Sequence, residues 1–233
     1  MKIRIWLSVL ASMAVFAATS EPSGAASTST PYAQMKSIVA DADAELSVRV
    51  TTTATASGMR VVQVTNAGRS AGRQTVTLSD GGKSNTLIAE LVAGNLYVKG
   101  DNTILTTYLA LSQTNANELA GQWFGIPKSS GYYAEVAEGL TISTGMAEVT
   151  MTSSVASSPE VTLAGTKVEV LKGSTVKSKL SPSFKETLYF STASKPLPVE
   201  VTQSVQGSVG TIKFSHWNEK IDVVAPKITL HLN

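Results

Sequence analysis

Apolar and polar residues alternate along most of this chain, and the period of the alternation changes along it. Met35, Ile38, Val39 and Ala42 recur at i, i+3, i+4 and i+7, which places them on one stripe of an α-helix. Thr30-Pro31 supplies the start, Thr as the cap and Pro in the first turn. The spacing predicts an amphipathic helix over 31–44 that has to lie on another surface. From Leu46 the period drops to two. Leu46, Val48 and Val50 alternate with Ser47, Arg49 and Thr51, as a half-buried strand requires. The same rhythm returns at Val62/Val64, Val76/Leu78, Leu96/Val98, Val168/Val170, Leu197/Val199/Val201, Ile212/Phe214 and Ile228/Leu230/Leu232. Asn66-Ala67-Gly68 and Asp80-Gly81-Gly82 read as turns between runs, because Asn, Asp and Gly tolerate positive φ. Short gaps between strands argue antiparallel pairing, since parallel neighbours need a long crossover.

Between about 101 and 139 the helical period comes back. Ile104, Leu105, Tyr108 and Leu109 are helically spaced, as are Leu119 and Trp123, and Tyr133 to Glu138 form a further turn. Helix, strands, helical insert and more strands together describe an α+β fold, a large antiparallel sheet with helices gathered on one side. A strongly twisted sheet of that size curls, which gives it a concave apolar face. Only the first helix and the insert are available to cover it. Where they leave it open, an apolar cavity remains, and such a cavity is a candidate lipid site.

The start of the chain adds a compartment. Lys2 and Arg4 precede an apolar run from Ile5 to Ala18, and Gly24-Ala25-Ala26 offers small residues for cleavage. The run is shorter than the ~20 residues of a membrane span, and Ser8 and Ser12 break it. Residues 1–26 therefore read as a signal peptide and 27–30 as part of a small, polar tether, leaving 31–233 as one domain. Cysteine is absent, which excludes disulfides and a thioether-linked lipid anchor. A core can still hold the domain, since 42% of residues are apolar. The formal charge is only +2, so nothing global favours nucleic acid or an anionic membrane.

Catalytic signals are thin. Ser174-Thr175-Val176-Lys177 spells Ser-x-x-Lys, but the Ser-x-Asn and Lys-Thr-Gly elements of that chemistry do not follow it. His216 and His231 cannot build a metal site without thiolates or further histidines; both read as strand histidines, His231 pointing outward. Asp41 with Glu45, and Glu135 with Glu138, share helix faces by spacing, where paired acids meet water more often than a glycosidic bond. Lys167, Lys172, Lys177, Lys179, Lys185 and Lys195 form a locally basic stretch, read either as a rim for lipid headgroups or as edge protection. Trp123, Phe124, Tyr132 and Tyr133 flank a Gly125-Ile126-Pro127 bend, as the mouth of a cavity or as anchors of the insert.

GNLYVKGDNTILTTYL, LAGQWFGIP and GYYAEVAEGLT over residues 94–141 carry a resemblance, as do TLYFSTASKPLPVEV and IKFSHWNEKIDVVAP farther on. In that order they resemble the actinobacterial LppX/LprA/LprF/LprG lipoprotein family over roughly residues 31–226. The resemblance implies a LolA/LolB-like half-barrel, an unclosed curved sheet with helices in its concave side. It also implies a carrier of acylated lipids or glycolipids across the cell envelope, with no enzyme activity and no cofactor. Members usually carry a lipobox Cys, and here Thr19 or Ser20 stands in that region. The chain is then either released by cleavage or held on its leader, in the envelope or outside the cell.

The candidate lining residues are Leu96, Val98, Leu105, Leu109, Trp123, Phe124, Leu188, Phe190, Val199 and Phe214. A register slip of one residue exchanges the two faces of any strand among them. The expected partners are an amphipathic lipid or glycolipid and, transiently, a membrane surface; the expected state is a monomer. The alternative is an envelope sensor module of the same fold that binds protein and no lipid. A lipid burying about 400 Å² at ~25 cal/mol per Å² gains about 10 kcal/mol before ordering costs. A membrane competes at ~0.8 kcal/mol per CH₂, so loading depends on access, for which a lid moving about Gly121 and Gly125 is the expected gate.

Overall fold

The computed structural model describes residues 30–232 except 57, 147–148, 150, 176–183, 206–207 and 229. The expected signal peptide, most of the expected tether, and Val176 and Lys177 of the Ser-x-x-Lys string lie outside the described residues, as does Lys179. Helix α1 (Pro31–Asp43) starts as its sequence dictates, the Thr30 hydroxyl accepting from Ala33 N–H at 3.3 Å. Met35, Ile38 and Ala42 are its buried stripe. Five strands follow: β1 (Ser47–Ala56), β2 (Met59–Gly68), β3 (Gly72–Asp80), β4 (Lys83–Val92) and β5 (Asn95–Gly100). The insert comprises α2 (Asn102–Thr107), α3 (Gln113–Leu119), β6 (Phe124–Ile126), α4 (Gly131–Ala137) and α5 (Ile142–Met146). Asp101, Ser112 and Ser130 cap α2, α3 and α4. Then come β7 (Ser153–Leu163), β8 (Thr166–Thr175), β9 (Phe184–Ser191), β10 (Pro198–Val205), β11 (Ser208–Ser215) and β12 (Leu230–His231).

Among the described residues the strands join one 12-stranded sheet in the order β12-β6-β5-β4-β3-β2-β1-β11-β10-β9-β8-β7. The chain starts in the centre at β1, walks outward to β6, and resumes at the far edge with β7 before walking back to pair β11 with β1. The connection from β6 to β7 has to cross the sheet, and α4 and α5 lie along that crossing. Gly72 marks where it touches down: a Cβ there would lie 1.9 Å from the Leu140 carbonyl oxygen. After β11 the chain crosses back as a strap. Asn218 N–H donates to Ser47 O at 2.9 Å, and β12 ends against β6.

Several expectations change. Asn66, Ala67 and Gly68 belong to β2, paired with Arg49, Val48 and Ser47; the turn follows at Arg69 and Ser70, closed by Gly68 N–H to Ala71 O at 2.8 Å. Ala67 is fully buried, and an apolar side chain there serves the sheet and not a turn. Leu46 lies ahead of β1 and is exposed. Phe124–Ile126 is a strand and not a bend, and β12 pairs with it in parallel, because the strap arrives from across the sheet instead of through a hairpin. Trp123 lies between α3 and β6, outside any helix. Helix α1 stops at Asp43, so Glu45 does not share its face, and Glu138 likewise lies beyond α4. Strand β7, rich in Ser and carrying Pro159, showed no apolar alternation.

Candidate functional site

Residues directly opposite on neighbouring strands share a face, so the ladders fix what looks inward. One inward row runs Leu171, Leu188, Val201, Ile212, Thr52, Gln63, Val76, Leu87, Gly100 across nine strands. Its two ends are apolar and its centre is not. On one side β3, β4, β5 and β6 pack under α2, α3 and α4, with Leu87, Val98, Ile104, Leu105, Leu109 and Phe124 fully buried. On the other side α1 lies over β7 and β10 and α5 over β1 and β2, and Met35, Ile38, Met146, Leu188, Phe190 and Ile212 meet beneath them. Phe214 joins this cluster and stacks on Trp217, ring centroids 6.2 Å apart.

The candidate lining residues divide between these clusters. Leu96, Val98, Leu105, Leu109 and Phe124 lie in the first, and Leu188, Phe190 and Phe214 in the second. Trp123 is half-buried and belongs to neither. Val199 is the extra residue of a bulge: Pro198 opposes Phe190 and Glu200 opposes Tyr189. That bulge breaks the Leu197/Val199/Val201 alternation. Tyr132 and Tyr133 pack against the first cluster, and Tyr133 Oη donates to Gly94 O at 2.8 Å, fastening α4 to the β4–β5 turn. Gly121 has φ +75° and is exposed, in keeping with a turn after α3. Gly125 is no hinge: it is laddered to Tyr97 and His231, and a Cβ there would lie 2.9 Å from His231 Nδ1.

A strip of concave floor separates the clusters. Val50, Met59, Val61 and Gln63 face inward and are half-buried, Met59 and Val61 at the margin of the first cluster and Val50 at that of the second, with Thr52 and Ala54 beside them. Thr65 and Gln74 complete the centre, Gln74 Nε2 donating to Thr65 Oγ1 at 3.2 Å; both are buried. Sequence reading missed this polar centre, because Gln63, Thr65 and Gln74 reveal their common face only through the pairing register.

Several charged groups near the site are already paired. Glu45 was expected on a solvated helix face and is instead 8% exposed. Its carboxylate accepts from Lys195 Nζ and Asn218 Nδ2, and both bonds hold its pKa below the usual carboxylate value, Lys195 most. Arg69 donates to the Glu45 and Ala44 carbonyls. Lys195, itself half exposed, is thus engaged as a clamp, and Lys167, Lys172 and Lys185 are exposed as well. On the convex side a groove of about 190 Å³ is lined by Arg49, Asn66, Arg73, His216, Lys220 and Asp222, among others. Its cations already have partners: Arg73 with Glu90 at 2.7 Å, Lys220 with Asp222 at 2.6 Å, and Arg49 Nε with Asn66 Oδ1 at 3.2 Å. His216 sits past β11 with φ +55°, exposed, and not in a strand; His231 is exposed on β12. Among the described residues no group of three or more His, Asp or Glu is placed to hold a metal, and no helix is long and apolar enough to cross a membrane.

No protein-family model matches the chain, and no curated protein matches it. Solved structures do. LprF from Mycobacterium bovis superposes with a TM-score of 0.51 at 12% identity, over 85% of this chain and 99% of that one. The Mycobacterium tuberculosis lipoprotein LppX gives a TM-score of 0.50 at 12% identity, over 83% and 98%. MucB overlaps less, with a TM-score of 0.41 at 14% identity over 84% of this chain and 62% of its own. At these identities the likeness is one of architecture: the chain has the unclosed, helix-covered half-barrel fold of LprF and LppX.

Proposed function

We propose that the chain is an exported carrier that holds an acylated lipid or glycolipid against its concave face during transfer across the cell envelope. One observation carries the reading. Among the described residues short helices, and no second sheet, cover the apolar concave face, and Met59 and Val61 at the margin of the first cluster and Val50 at the margin of the second are left only half-buried. A permanently closed core has no use for such margins. Small helices detach at lower cost than a laddered sheet, because their stability comes from the face they bury. Displacing α2 to α4 would present Leu96, Val98, Leu105, Leu109 and Phe124 to an acyl chain. Displacing α1 would present Leu188, Phe190 and Phe214. Binding and release, with no chemistry on the cargo, is the whole of this activity, and the carrier works as a monomer touching the membrane transiently.

The test is mass spectrometry of the protein isolated from an actinobacterial host, under native conditions and after solvent extraction. A stoichiometric lipid supports the carrier and names its cargo class. The intact mass also fixes the leader cut, expected after Ala26. A protein that comes out empty, and stays empty after incubation with host lipid extract, overturns the reading in favour of a protein-binding module.

A further inference from the structure

The polar centre of the concave face is placed where a buried sheet would be expected to carry valine or leucine. Thr52 and Gln63 are direct neighbours across β1 and β2, and Thr65 and Gln74 across β2 and β3. All four look into the concave side, between the two apolar clusters. Gly139, in the linker between α4 and α5, lies over them with φ +77°. A methyl placed on Gly139 would lie 3.7 Å from Gln74 Nε2 and 3.8 Å from Gln63 Nε2. Two side-chain amides on different strands therefore converge on one point beneath a residue that has no side chain. Gln74 is held by Thr65. Gln63 is half-buried, and among the described residues its amide has no hydrogen-bond partner. A primary amide offers two donors and an acceptor. Keeping one on a concave, largely apolar face without a protein partner forgoes stability that an apolar residue would supply.

We propose that Gln63 and Gln74, with Thr52 and Thr65, form a polar saddle for the uncharged junction of a multi-chain lipid. The junction is an ester, amide or hydroxyl group, from which the chains diverge into the apolar compartments on either side. The saddle holds no ionised group, so it suits a neutral glycerol or sugar junction and gives an ionic headgroup no counter-charge. This rests on the carrier reading and deepens it by fixing how the cargo straddles the sheet.

The test uses two probes on the full chain, dioleoylglycerol and squalane, the second being apolar with no hydrogen-bonding group. Affinities are read by displacement of anilinonaphthalene sulfonate, with thermal unfolding of each variant alongside. Gln63→Met keeps the side-chain length, removes the amide and breaks no described bond, so its unfolding midpoint stays at or above that of the parent. Its affinity for dioleoylglycerol falls about three- to tenfold, the worth of one hydrogen bond, while squalane binds as well as before or better. Gln74→Met shows the same selectivity. Equal effects on both probes, or none on dioleoylglycerol, overturn the saddle and leave the carrier standing. A parent protein that binds neither probe overturns both.

Discussion

The carboxylate of Glu45 is clamped by the ammonium of Lys195, a residue 150 positions later in the chain. Asn218 donates to the other carboxylate oxygen. One buried acid thus ties the end of α1, the β9–β10 turn and the C-terminal strap together. The partners depress its pKa, so the native state favours the charged form. The contribution to stability is complete above the ordinary carboxylate value near 4.5 and is lost as pH falls through the lower native value. Glu45→Gln removes it at every pH. We expect a loss of about 1–2 kcal/mol at neutral pH, between the surface and buried limits because Lys195 is half exposed. Unfolding midpoints from pH 7 to pH 3 should converge between variant and parent at the acid end; parallel curves would show that Glu45 does not govern the acid limb.

Gly72 reports on the crossing from β6 to β7. A side chain there meets the Leu140 carbonyl oxygen at 1.9 Å, and backbone cannot turn aside as a flexible side chain does. Gly72→Ala should therefore cost about 3 kcal/mol, the upper range for overpacking, and loosen α4 and α5 together. Denaturant unfolding measures the loss, and hydrogen exchange across 131–146 should accelerate more than in β9.

Legibility of this fold followed the range of the interactions. Helix α1 was readable because its cap, Pro31 and stripe are all local. Most strands were readable because burial of one face enforces a period of two. Strand β7 was not, since an edge strand of Ser, Pro159 and Glu160 buries little. The turn at Arg69 and Ser70 was displaced onto Asn66–Gly68 because Asn and Gly signal turns whether or not a turn is there. The parallel β6–β12 ladder and the Glu45 clamp join residues far apart, for which a single sequence holds no signal. At the candidate site, the apolar residues were visible as alternation, and their division into two clusters was not. Gln63 and Gln74 looked like ordinary polar positions until the register put them inside.

Tyr133 holds α4 to the sheet through one bond, its hydroxyl to Gly94 O at 2.8 Å. Tyr133→Phe keeps the ring against the first cluster and deletes that bond alone. A stability loss of about 1 kcal/mol is expected. If α4 is a lid, lipid exchange between vesicles should accelerate by a similar energy, about fivefold. Unchanged exchange, with the stability loss present, would place the moving part elsewhere.

Val61 offers the most direct handle on the half-buried margin of the first cluster. It faces inward, is half-buried, and opposes Ala54 on β1 and Leu78 on β3. Because it is only half-buried at the margin of the first cluster, a larger side chain there displaces less of the packed core than one at a fully buried position. Val61→Trp should fill the space a cargo chain needs while costing no more than about 1–2 kcal/mol, at the lower end for overpacking. The comparison that matters is with a core variant of greater structural damage. Leu105→Ala, at a fully buried position, should lose about 2–5 kcal/mol yet leave that margin as it is. Native mass spectrometry after lipid loading should then find Val61→Trp empty and folded, and Leu105→Ala destabilised but loaded. The reverse order would show that cargo occupies the first cluster itself and not its margin.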